Sequence, residues 1–103
     1  MNHVELTACI AELSALRYTP AGIPAVNFIL EHESEISEAG ITGQASRQVK
    51  LTVRAVAFGS LAEQAVQLPL GKTLRFTGFL INARTSKSVV FHIQAFQQVL
   101  NPI

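Results

Sequence analysis

Glu31, His32 and Glu33 stand side by side, with Glu35 and Glu38 close behind them. Carboxylates beside an imidazole could move a proton or hold a metal, so this run is the first place to look for chemistry. The pattern around it argues against both uses. Val26, Phe28 and Leu30 alternate with polar residues, which puts Glu31 and Glu33 on one exposed strand face and leaves Glu35 and Glu38 in the loop that follows. The acids then form a solvated rim, and His32 is a half-exposed, hydrogen-bonded strand residue. His3 and His92 are distant in sequence and have no Cys or Asp at ligand spacing; the chain contains no aspartate at all. No Ser-His-Asp set can be built, and Cys9 has no base near it. "LGKT", residues 70–73, looks like the end of a phosphate-binding loop, but Val66 stands where the first glycine is needed and Pro69 interrupts the loop. The chain reads as a non-enzyme, with no metal site and no cofactor.

The basic residues carry a clearer pattern. Net charge is only +1, yet six of the seven acids precede residue 39 and seven of the eight bases follow it. In "RQVKLTVRAV" the apolar residues take odd positions, so Lys50, Thr52 and Arg54 share the opposite face, with Arg47 at the start of the same strand. "NARTSKS" adds Arg84 and Lys87 on small-residue chain, and Arg17 with Tyr18 opens the loop "RYTPAGIP". Guanidinium and ammonium groups suit phosphates, and an exposed tyrosine suits a stacked base.

The elements that must position these groups follow from the apolar spacing. Period-two runs at Val4–Ile10, Val26–Leu30, Val49–Ala55, Leu74–Leu80 and Val89–Ala95 predict five strands. Between the third and fourth, "GSLAEQAVQLPLGK" predicts a short helix, with Ser60 and Glu63 as a capping box, Leu61, Ala62, Ala65 and Val66 on one face, and Pro69 with Gly71 as the stop. "SEISEAG" is a weaker helical turn or a polar loop closed by Gly40. Three strands, a helix and two strands is the order of an all-β, five-stranded OB-fold Greek-key barrel, although five short strands also fit a partly open sandwich or another small barrel; Gly78 suits the sharp bend that a small barrel demands. OB-folds bind oligonucleotides on strands two and three and the loops after strands one and four. That surface would gather Arg17, Lys50, Arg54, Arg84 and Lys87 around one groove with Tyr18. Residues 1–103 form one domain on length alone. The N-terminus lacks a basic signal-peptide region, no apolar run reaches membrane length, and the single Cys9 suits a reducing compartment, so a cytoplasmic location is expected.

"TPAGIP" before an alternating strand and "LEHES", then "EAG", "GQASRQ" and "GKTLRFTGFL", resembles the primosomal replication protein N family, OB-folds related to bacterial single-strand DNA-binding protein. The resemblance spans essentially the whole chain. It implies a homodimer that binds single-stranded DNA and joins a restart helicase and other primosome proteins at stalled forks, with Pro20, Gly22 and Pro24 shaping a stiff loop and Arg17 at its base. Two stacking positions of familiar members hold Ser46 and Ile41 here, and Glu33 replaces a base. These departures predict binding driven more by phosphate contact, with Arg47, Lys50 and Arg54, than by aromatics. They also keep open a protein-interaction adaptor with weak or no DNA binding. Strand one has no lysine or proline along its length and is expected to be an unprotected edge that pairs with a second copy.

Overall fold

The computed structural model describes residues 1–37 and 46–99. Its elements are β1 (Val4–Leu13), β2 (Arg17–Tyr18), β3 (Pro24–Ser37), β4 (Ser46–Phe58), α1 (Ser60–Ala65), β5 (Thr73–Asn82) and β6 (Val89–Gln98). β1 pairs with β3 and β5, β3 with β4, β4 with β6, and β6 with β5, so five strands close into a ring. Only the β4–β6 pairing is parallel among them. This is the expected OB barrel, with its helix between the third and fourth barrel strands. The extra element, β2, is two residues long and pairs with the start of β3.

The inward residues are those that the alternation selects. Ala8 and Ile10, Val26, Phe28 and Leu30, Ala55 and Ala57, Leu74 and Phe76, and Phe91 and Ile93 fill the interior. Ala62 and Ala65 of α1 join them, while Leu61 and Val66 pack alongside, as the predicted helix face requires. The helix start differs from expectation. Gly59, at φ 73°, is the N-cap, and no side chain caps it. Its carbonyl accepts from the N–H groups of Ala62 and Glu63, so Ser60 already lies in the first turn and the predicted capping box does not form.

Two further departures come from barrel geometry. β1 is bonded to β5 through Val4–Cys9 and to β3 through Cys9–Leu13, so it is not an edge along its length: closure of the ring demands both neighbours. Among the described residues, Val4–Ala8 have no strand on the side away from β5 and Ile10–Leu13 have none on the side away from β3. Beyond Glu31, β3 parts from β1 and continues with β4 as a two-stranded arm ending at the Ser37–Ser46 pair. Ser34–Ser37 are therefore strand and not a helical turn; Glu38, Gly40 and Ile41 lie outside the described residues. Leu51 sits on this arm and is exposed although its position matches the core parity. Gly78 marks a register shift between β5 and β6, where a β-carbon would overlap the His92 carbonyl. Glycine lets the two backbones close at that point.

Candidate nucleic-acid interface

The register of β3 and β4 is unbroken from Ala25–Phe58 to Ser37–Ser46, so side chains alternate strictly between the two faces of this pair. Lys50, Thr52, Arg54, Val56 and Phe58 share the outer face, opposite Glu33, Glu31, Ile29, Asn27 and Ala25. Arg47 has the other parity and pairs with Ile36, so the structure separates it from Lys50 and Arg54. Val56 lies beside His92 of β6, and His92 lies beside Phe79 of β5. The outer face therefore runs continuously across β3, β4, β6 and β5.

Its centre is aromatic. The His92 ring stacks on Phe79 at 4.4 Å between centroids and 16° between planes. Phe58 approaches the same ring at 5.2 Å, tilted by 36°. Burial pushes the His92 pKa below the ordinary imidazole value, because desolvation disfavours the charged ring. Phe58 is 36% exposed and offers its ring to solvent. Phe96, by contrast, packs inward against Phe76.

The basic residues flank this centre. Arg54 is exposed two residues before Val56. Arg17 sits on β2 opposite Ala25, and its Nε and Nη2 donate to Oδ1 of Asn27 at 3.2 and 3.0 Å. A neutral amide orients this guanidinium without cancelling its charge. Tyr18 follows it, 64% exposed. The turn beyond is held by the Thr19 N–H on the Ile23 carbonyl and the Gly22 N–H on the Thr19 carbonyl; Gly22 has φ +82°, a conformation that favours glycine. Arg84 and Lys87 are exposed in the loop between β5 and β6, braced by the Ala83 N–H on the Ser88 carbonyl and by Asn82 Nδ2 on the Lys87 carbonyl.

The arm has a different character. Lys50 Nζ lies 3.4 Å from Glu33 Oε1, which also accepts from Gln48 Nε2 at 3.2 Å. Ser46 Oγ donates to Glu35 at 2.8 Å. Where β1 and β3 part, an open groove of about 540 Å³ is lined by Thr7, Cys9, Glu31, Glu33, Lys50 and Thr73. Two carboxylates and one ammonium there make a poor phosphate site. His32 closes the gap: its Nδ1 lies 2.6 Å from the Thr7 carbonyl, which can only accept, so Nδ1 carries the proton and Nε2 accepts from Ser34 Oγ at 2.8 Å. His32 is thus the hydrogen-bonded strand residue expected.

Nothing in the spacing of the chain groups Phe58, Phe79 and His92 together. Their meeting depends on the parallel β4–β6 pairing, which joins residues 56 and 92, and periodicity within a strand does not reveal that neighbour. Phe91 and Ile93 inside did imply that His92 points outward.

Comparison with known proteins agrees with this fold. Residues 2–95 match a family model described as another single-strand binding protein family. The replication restart protein PriB of Bordetella pertussis is 44% identical over 100 residues, covering 96% of this chain and 90% of that protein. This chain belongs to the PriB family. PriB of Nitrosomonas europaea is 33% identical over 94 residues, covering 90% of this chain and 83% of the other. A solved PriB structure from Ralstonia solanacearum superposes with a TM-score of 0.82 at 35% identity, covering 95% of this chain and 97% of that one. The SSB domain of a Synechococcus protein shares the fold at 17% identity, with a TM-score of 0.70.

Proposed function

We propose that this PriB-family chain binds single-stranded DNA on the outer face of β3, β4, β6 and β5 and serves in replication restart. There it joins the restart helicase and loader-recruiting proteins as a non-enzymatic primosome component. The observation that carries this reading is the ring cluster of Phe58, His92 and Phe79, with Phe79 stacked on His92 and Phe58 tilted against it, on a face flanked by the unneutralised Arg17 and by Arg54. Single-strand binders pair such rings with a cationic track, and the names of the relatives point the same way. Bases would stack at Phe58, while Arg17, Arg54, Arg84 and Lys87 meet phosphates and Tyr18 offers a further ring. The working form is a homodimer.

The test is binding of a labelled oligothymidylate by fluorescence anisotropy. Phe58→Ala should weaken it by roughly 5- to 150-fold, the worth of about 1 to 3 kcal/mol per stacked base. Arg54→Glu should weaken it as well without lowering the thermal midpoint substantially, because Arg54 is exposed, whereas Phe58→Ala, which removes the contact with His92, should lower the midpoint modestly while leaving the barrel folded. Parental affinity in both variants would rule this face out. Ser46, bonded to Glu35, and the acidic arm favour a second reading, an adaptor that relies on protein contact. No binding by the parent at low salt would select it.

A further inference from the structure

We infer that the single strand keeps to the barrel part of the outer face and leaves the arm unused, with Glu33 the residue that sets this limit by neutralising Lys50. This inference rests on the single-strand reading above and adds the path of the strand.

The outer face changes sign along its length. On the arm, Glu35 faces Gln48, Glu33 faces Lys50 and Glu31 faces Thr52, so three carboxylates are set against one ammonium. On the barrel, Ile29 faces Arg54 and Asn27 faces Val56, with no carboxylate in either pair. Directly opposed side chains lie about 5 Å apart, and successive outward residues on one strand about 7 Å apart. Both spacings fall inside the Debye length of roughly 8 to 10 Å at ordinary salt, so the three acids act on Lys50 together. The Lys50–Glu33 contact is not a rigid lock: the two side chains are 72% and 59% exposed, and exposed ion pairs are individually weak. The limit comes from the position of Glu33 directly opposite Lys50, nearer than Glu31 or Glu35, so its charge offsets the ammonium even when the contact opens. Lys50 then yields no net attraction for a phosphate, whereas Arg54, one turn of the alternation beyond Thr52, does.

β4 and β6 run parallel with Val56 beside His92, so β6 begins near the level of Val53 and the loop carrying Arg84 and Lys87 leaves the barrel on the same side as the arm. A strand passing Phe58 and Arg54 thus meets an acidic wall on one flank and a basic loop on the other. It is steered to the loop. The exposed Ser46, engaged with Glu35, supplies no ring to draw it back.

The experiment measures oligothymidylate binding against salt for the parent, Glu33→Gln, Lys50→Gln, the double variant and Arg54→Gln. The expected result is that Lys50→Gln leaves the parental affinity within about twofold and its salt slope unchanged. Glu33→Gln should tighten binding about two- to fivefold, as an exposed charge allows, and steepen the slope by about 0.7, the contribution of one phosphate contact on a single strand. The double variant should lose both gains. A Lys50→Gln change that flattens the parental slope as much as Arg54→Gln does would overturn the inference, as would a Glu33→Gln variant identical to the parent. If the parent fails to bind at low salt but Glu33→Gln binds, the role of Glu33 stands and the function proposed for the parent falls. If neither binds, both fall.

Discussion

Phe58, His92 and Phe79 show how three side chains from three strands become one surface. None has an obvious role in its own strand; together they expose a ring and support it from behind. His92 makes that support sensitive to acid. Its pKa is lowered by desolvation, so between its folded value and the ordinary imidazole value the unfolded chain binds more protons than the folded one. The contribution of neutral His92 to stability is therefore complete above about pH 6.5, where the unfolded imidazole titrates. It is lost as the pH falls from there through the folded pKa. Proton NMR of the imidazole should place the His92 midpoint below that of a solvent-exposed histidine, and His92→Gln should flatten the acid side of the stability profile. A midpoint at or above the ordinary value would show that the ring is not desolvated as described. At the same scale, period two assigned Arg54 to an exposed strand face, whereas Arg17 and Tyr18 were read as the opening of a loop and lie on the short strand β2. Periodicity could not separate Lys50 from Arg54, since what distinguishes them is the residue opposite: Glu33 in one case and Ile29 in the other.

β1 illustrates what elements add. Its alternation is legible in the chain, and so is the lack of protective lysine or proline; its neighbours are not. Ring closure pairs Val4–Cys9 with β5 and Cys9–Leu13 with β3, so among the described residues each half has a strand on one side only, and Val4–Ala8 are open on the side away from β5. His32 already occupies the Thr7 carbonyl on that side, so a second copy would have to pair around this contact. The proposed homodimer uses this edge. Sedimentation velocity at micromolar concentration should show a dimer in the parent, and Glu5→Pro, which removes an N–H on the open side that the Thr7 carbonyl also faces, should shift it toward monomer. A parent that sediments only as monomer removes the dimer. Leu51 on the arm follows the core parity, yet it lies past the point where β1 leaves β3, so no strand among the described residues covers it. The helix face was readable from Leu61, Ala62, Ala65 and Val66, whereas its cap was not, because Gly59 with positive φ starts the turn one residue before the Ser60 signal.

The whole molecule is a barrel whose interior is spent on stability and whose outer face carries the rings and charges. The order of strands and helix fits an OB barrel but also a partly open sandwich or another small barrel, and the family resemblance of the chain decided between them. The polarity of the face was not legible in the chain, because it arises from cross-strand partners and from the parallel β4–β6 neighbours. The central claim is that this face binds single-stranded DNA mainly through phosphates, with Arg17, Arg54, Arg84 and Lys87 as the contacts and the arm excluded. The measurement that tests it most directly is anisotropy of labelled oligothymidylate with the parent protein across a range of salt. With three or four phosphates neutralised, the logarithm of the association constant should fall against the logarithm of salt with a slope of about −2 to −3. A slope near zero, or no binding at low salt, would contradict it.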